Sequence, residues 1–147
     1  MPSRFSASSH NCNLEDIVVT LYAAVSESKS LKNPAELFRQ ETNTLQLAPG
    51  EFLYREGDKA DKMYVLLEGE IDIRIGDYVK TAREGAIVGE GALIEDRPRA
   101  ANAVAKSACR LAQIDRQRFD FLVQQHPHFA TYVMKSLVDH LRFVLFS

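Results

Sequence analysis

Cysteine is nearly absent from this sequence. Cys12 and Cys109 lie far apart, in no metal-ligand spacing, and two are too few for a disulfide scaffold. A reducing, cytoplasmic setting is the expectation. An excess of either charge is also missing. The formal net charge is -2 over 147 residues, which argues against a general nucleic-acid binder. The longest apolar stretch near the start, 17–25, is too short to span a membrane. Glu15 and Asp16 precede it, where a secretory signal would carry positive charge. No membrane segment is expected. One domain with a sizeable core fits this length.

Glycine is absent from the first 49 residues and from the last 56; all seven lie between Gly50 and Gly91. Turns need glycine's backbone freedom, so the middle reads as turn-rich and the flanks as helical. Gly50, Gly57, Gly69, Gly76 and Gly85 recur every seven to twelve residues, an interval that suits short strands. The run 63–67 reads as a buried strand. Ile71, Ile73 and Ile75 alternate with Asp72 and Arg74, as in a half-buried strand. Gly76-Asp77 then turns the chain into a hairpin that returns from Tyr78. Residues 103–105 and 111–114 continue the β pattern.

The flanks carry helical spacing. Leu14, Ile17, Val18, Leu21, Tyr22 and Val25 form one apolar stripe. Asn33 is placed to cap a second helix, with Pro34 in its first turn, Glu36 completing a capping box, and Leu37 and Phe38 facing the core. Asp115 caps a helix to about Gln125, which His126-Pro127 ends. A last helix runs from about His128 with a broad apolar face. The expected fold is α+β, mainly β: a β-roll or jelly-roll barrel with flanking N-terminal helices and C-terminal helices. Its parts are a disordered, Ser-rich stretch over 1–13, a helical flank over 14–41, the β-roll over 42–115 and the C-terminal helices over 116–147.

Histidine is missing from the β-region; the four are His10, His126, His128 and His140. A metal-dependent jelly-roll enzyme would lack its ligands there. No nucleophile stands near a base, and no acids are paired for hydrolysis. An enzyme is not expected, nor a metal or cofactor.

One stretch asks for a ligand. "GEGALIEDRPRAA" spans 89–101. Gly89 permits close backbone approach, and residues 90–94 suffice for a helical turn whose free N–H groups favour an anion. Arg99 adds a planar fork that holds two phosphate oxygens. Glu90 repels phosphate but accepts from hydroxyls such as those of a ribose. Together they describe a site for a compact nucleotide with a single-charge phosphate. Two ordinary alternatives exist: Arg99 pairing with Glu95 or Asp96 at the surface, and Glu90 capping the short helix.

The same stretch resembles the phosphate-binding cassette of cyclic nucleotide-binding domains. The family pattern is Gly-Glu, a hydrophobic and a small residue, two aliphatics, a short loop, Pro-Arg and small residues. The resemblance extends from about Ala48 to the end, through "PGEFLYREGDKADKMYVLLEGEIDI" and "RLAQIDRQRFDFLVQQHP". It implies that Glu90 takes the ribose 2′-hydroxyl and Arg99 the cyclic phosphate. Gly89 and the amides of Gly91, Ala92 and Ala100 complete the set. Gly91 departs from the family's large aliphatic, and Asp96 stands where glycine is frequent. Val144 occupies the position from which the last helix would meet the adenine. Ala100 lacks the hydroxyl that cGMP-preferring members carry there, which implies a preference for cAMP over cGMP. The implied lid is the last helix, through Tyr132, Leu141 and Val144.

Family members that regulate transcription carry a helix-turn-helix after this helix, for which the sequence leaves no room. Residues 1–41 hold four basic and five acidic side chains, so no basic reading helix is expected there either. Two functions remain. One is a standalone cyclic-nucleotide sensor acting through a protein partner or a homodimer. The other is an interaction module that keeps the fold with weak or no nucleotide binding.

Overall fold

A computed structural model of the chain describes residues 33–146, with side chains to Arg142. The apolar stripe expected over 14–25 and the side chain of Val144 lie outside the described residues. Helix α1 (Pro34–Leu37) opens on Asn33, whose side chain accepts from Ala35 N at 2.8 Å. Eight strands follow: β1 (Thr44–Leu47), β2 (Phe52–Tyr54), β3 (Lys62–Glu68), β4 (Ile71–Ile75), β5 (Tyr78–Ala82), β6 (Ile87–Val88), β7 (Asn102–Ala105) and β8 (Cys109–Asp115). Helix α2 (Glu90–Glu95) interrupts them between β6 and β7. Helices α3 (Arg116–Gln125) and α4 (Pro127–Phe146) close the chain, and Asp115 caps α3 by accepting from Arg118 N at 2.8 Å.

Two four-stranded antiparallel sheets, β1-β8-β3-β6 and β2-β7-β4-β5, form the jelly-roll. They do not close into the expected barrel. β6 meets β3 only through Tyr64–Val88 and Val65–Ile87 before the chain leaves for α2.

β3 is buried on both faces, which is why its sequence reads as an unbroken apolar run. Tyr64 and Leu66 point between the sheets, with Ile71, Ile73, Val88, Ala103 and Leu111. Met63, Val65 and Leu67 point the other way, into a second core with Phe38, Leu93, Leu122, Phe129, Tyr132 and Val133 from the helices. Of the pair expected inward near α1, Phe38 is buried and Leu37 is 41 % exposed. The helix ends after one turn, and only one of two neighbouring side chains can face the sheet.

Candidate functional site

A cavity of about 580 Å³ lies between the second sheet and α4. Its walls include Tyr54, Ile73, Thr81, Val88 and Gly89, with Tyr132, Ser136 and His140 across from them on α4. That volume is in the range of small-ligand sites.

The segment 89–101 hangs on one glycine. Gly89 has φ +80, and a Cβ there would stand 2.5 Å from Arg99 Nη1. The backbone therefore favours glycine, and any larger residue would have to displace the end of the Arg99 side chain. No side chain caps α2, so Glu90 does not serve as its cap. Asp96 ends the helix in the left-handed region with φ 57, a conformation that aspartate tolerates. Beyond Gly91, a Cβ would meet nothing within 4 Å. Arg99 is fixed by its backbone: its N–H donates to Asp58 O and its carbonyl accepts from Gly57 N, both at 2.8 Å.

Glu90 and Arg99 are the two buried charged side chains among the described residues, at 0 % and 4 % exposure. They flank Gly89. Arg99 donates from Nη1 to Gly89 O at 2.9 Å and from Nη2 to Lys62 O, rather than pairing with Glu95 or Asp96. Glu95 instead pairs with Arg97 at 3.2 Å. The Arg99 guanidinium lies 4.3 Å from the Tyr54 ring centroid, a cation–π contact. Glu90 Oε1 accepts from Ser136 Oγ at 2.6 Å, and His140 Nδ1 stands 3.4 Å from the same oxygen.

Each charge keeps one unused atom. Glu90 Oε2 and Arg99 Nε are buried without a hydrogen-bond partner. A buried group left unmade costs about 1–3 kcal/mol, more when charged. One atom needs a donor and the other an acceptor. Burial pushes the Tyr54 phenol up to about 12; the Arg99 charge opposes the shift and Glu90 adds to it. Burial also raises Tyr132, with Glu36 acting in the same direction. The Tyr132 hydroxyl is itself buried and unpartnered.

Of the residues named from sequence, Gly89 and Tyr132 line the cavity. Glu90 and Arg99 stand behind Gly89. Gly91 and Ala92 are half-buried on α2, and Ala100 is exposed at the far end of the segment. Leu141 is half-buried next to His140 but forms no part of the cavity wall. Ser136 and His140 were not anticipated. Their signal was the spacing of Tyr132, Ser136 and His140, four apart on one helical face.

The sequence model described as cyclic nucleotide-binding domain matches residues 44–126, more than half of the chain. This protein belongs to the cyclic nucleotide-binding domain family. A cAMP-dependent protein kinase regulatory subunit from Emericella nidulans is 34 % identical over 84 residues, which are 55 % of this chain and 20 % of that protein. A cGMP-dependent protein kinase from Plasmodium berghei is 36 % identical over 70 residues, 47 % of this chain and 8 % of that one. The chain thus spans about a fifth or less of these curated relatives. Among solved structures, one from work on a cyclic-GMP-dependent signalling pathway that regulates bacterial phytopathogenesis superposes with a TM-score of 0.64 at 29 % identity. It covers 76 % of this chain and 96 % of its own. The Thermus thermophilus catabolite activator protein shares the fold, with a TM-score of 0.63 at 20 % identity, over 80 % of this chain and 58 % of its own.

Proposed function

We propose that this cyclic nucleotide-binding domain is a cAMP-preferring sensor whose output passes through α4 to a protein partner or a second copy. One observation carries this reading. The two buried charges beside Gly89 each keep one unsatisfied atom, a carboxylate oxygen and a guanidinium N–H. A ribose cyclic phosphate offers a hydroxyl donor and an anionic acceptor in one compact molecule. Glu90 takes the 2′-hydroxyl and Arg99 the phosphate, with Gly89 and the amides of Gly91, Ala92 and Ala100 around them. Ala100, which has no hydroxyl for a guanine, supports the preference for cAMP. The role is regulatory rather than enzymatic, and the setting cytoplasmic.

Calorimetric titration with cAMP and cGMP tests this. The parent protein should bind cAMP more tightly, and Ala100→Thr should narrow the difference. Arg99→Ala should cost on the order of 2–4 kcal/mol of binding, because it removes a charge-assisted contact from a dry site. Arg99→Lys should restore only part, since one ammonium cannot hold Gly89 O and Lys62 O and also meet the phosphate as the planar guanidinium can. An Arg99→Ala protein that binds like the parent rules out the phosphate assignment. A parent that binds neither nucleotide favours the interaction-module alternative.

A further inference from the structure

We propose that Ser136 is a positioning residue for nucleotide recognition: from α4 it holds one oxygen of Glu90 and so presents the other to the ribose 2′-hydroxyl. This rests on the assignment of Glu90 to the ribose made above.

The contacts to Glu90 are one-sided. Oε1 accepts from Ser136 Oγ at 2.6 Å and has His140 Nδ1 at 3.4 Å. Oε2 is buried with no partner at all. Ser136 Oγ is also 3.4 Å from Ile87 O. The hydroxyl has one proton, and the shorter, charge-assisted bond to the carboxylate takes it. A glutamate's terminal torsion is broad and nearly two-fold, so an untethered carboxylate samples many orientations. With Oε1 held, that freedom is gone before the ligand arrives, and Oε2 has a fixed direction. Supporting hydrogen bonds of this kind set the geometry of a recognition group. The bond also spans 46 positions in sequence and joins α4 to α2. The orientation of Glu90 therefore depends on α4 being docked.

An opposite role is conceivable from the same contact: the serine hydroxyl standing in for the ribose and competing with it. The two differ in sign. A competitor's removal strengthens binding, and a positioner's removal weakens it. The untouched Oε2 favours positioning, because the acceptor that the ribose needs is not the one that Ser136 uses.

The test measures the affinities of cAMP and 2′-deoxy-cAMP for the full chain, for Ser136→Ala and for Ser136→Thr. The parent should prefer cAMP. Ser136→Ala should weaken cAMP about three- to tenfold, the worth of one hydrogen bond, and leave 2′-deoxy-cAMP nearly unchanged. Discrimination between the two ligands then shrinks by that factor. Ser136→Thr, which keeps the hydroxyl, should restore it. If the alanine variant does not fold, Ser136→Cys keeps the shape with a weak donor and should show the same narrowing. Equal losses for both ligands would mean that the serine only packs α4, and would overturn the proposal. Tighter cAMP binding by Ser136→Ala would overturn it in favour of competition. A parent that does not discriminate defeats the Glu90–ribose assignment itself, a failure visible before any variant is made.

Discussion

Tyr54 stands where the roll, the cavity and the 89–101 segment meet. Its ring lies under Arg99 and comes within 3.4 Å of the space that a Cβ on Gly89 would occupy. Its phenol is pushed up to about 12, chiefly by burial. An unfolded tyrosine ionises near pH 10. Below about pH 10 both states are protonated and the contribution to stability is whole. Between about 10 and 12 the unfolded chain ionises and the folded one does not, so stability falls as pH rises. The loss should be on the order of 2 kcal/mol. Urea midpoints at about pH 9 and pH 11.5 measure it. Tyr64 and Tyr132 are shifted in the same direction, so the informative quantity is the difference from Tyr54→Phe. That variant should lose less stability across the interval. Equal losses in the two proteins would show that Tyr54 titrates as an ordinary phenol.

At the scale of elements, α4 carries both packing and contact with the site. Among the described residues its core side chains, Phe129, Tyr132, Val133 and Val138, precede residue 140. A chain cut after Asp139 should therefore keep the roll folded. It loses His140 beside Glu90 and should bind cAMP several-fold more weakly. In the full chain, saturating cAMP should increase amide protection over 128–146, and the shortened chain should show no such change. Unchanged exchange in the full chain would mark α4 as constitutive packing. Much of this arrangement was legible in the sequence because it depends on near neighbours. Alternation marked β4, the cap at Asp115 marked α3, and Gly89 with its flanking charges marked the cavity's edge. What was hidden depends on distant partners. Ser136 and His140 look like residues of a solvated helix face until the fold brings Glu90 against them. Leu37 looked like a core residue because nothing nearby shows that α1 stops after one turn.

For the whole molecule, cAMP binding should appear as stability. A ligand that binds only the folded state adds about 2.7 kcal/mol at one hundred times its dissociation constant. The thermal midpoint should rise by several degrees with cAMP and keep rising with concentration, while Arg99→Ala should rise by at most about a third as much over the same range. A midpoint that ignores cAMP in the parent would mean that folding and nucleotide are not linked.

β3, buried on both sides, also bears on the order of assembly. It pairs with β8 in a register that runs from Glu68–Arg110 to Lys62–Asp115, partners 42 and 53 residues apart. Neither core exists until that long loop has closed, and such non-local pairing is slow, on the scale of milliseconds to seconds. The segment 89–101 lies inside the loop, and Ser136 reaches Glu90 only once α4 has docked on the finished sheet. The proposed nucleotide site is therefore expected to assemble late, after the folding barrier, so that substitutions at Glu90 or Ser136 should change unfolding rates more than folding rates. A ligand that recognises only the finished site leaves the rate of refolding alone and slows unfolding. On the proposed function, saturating cAMP should therefore slow unfolding in urea and leave the refolding rate unchanged.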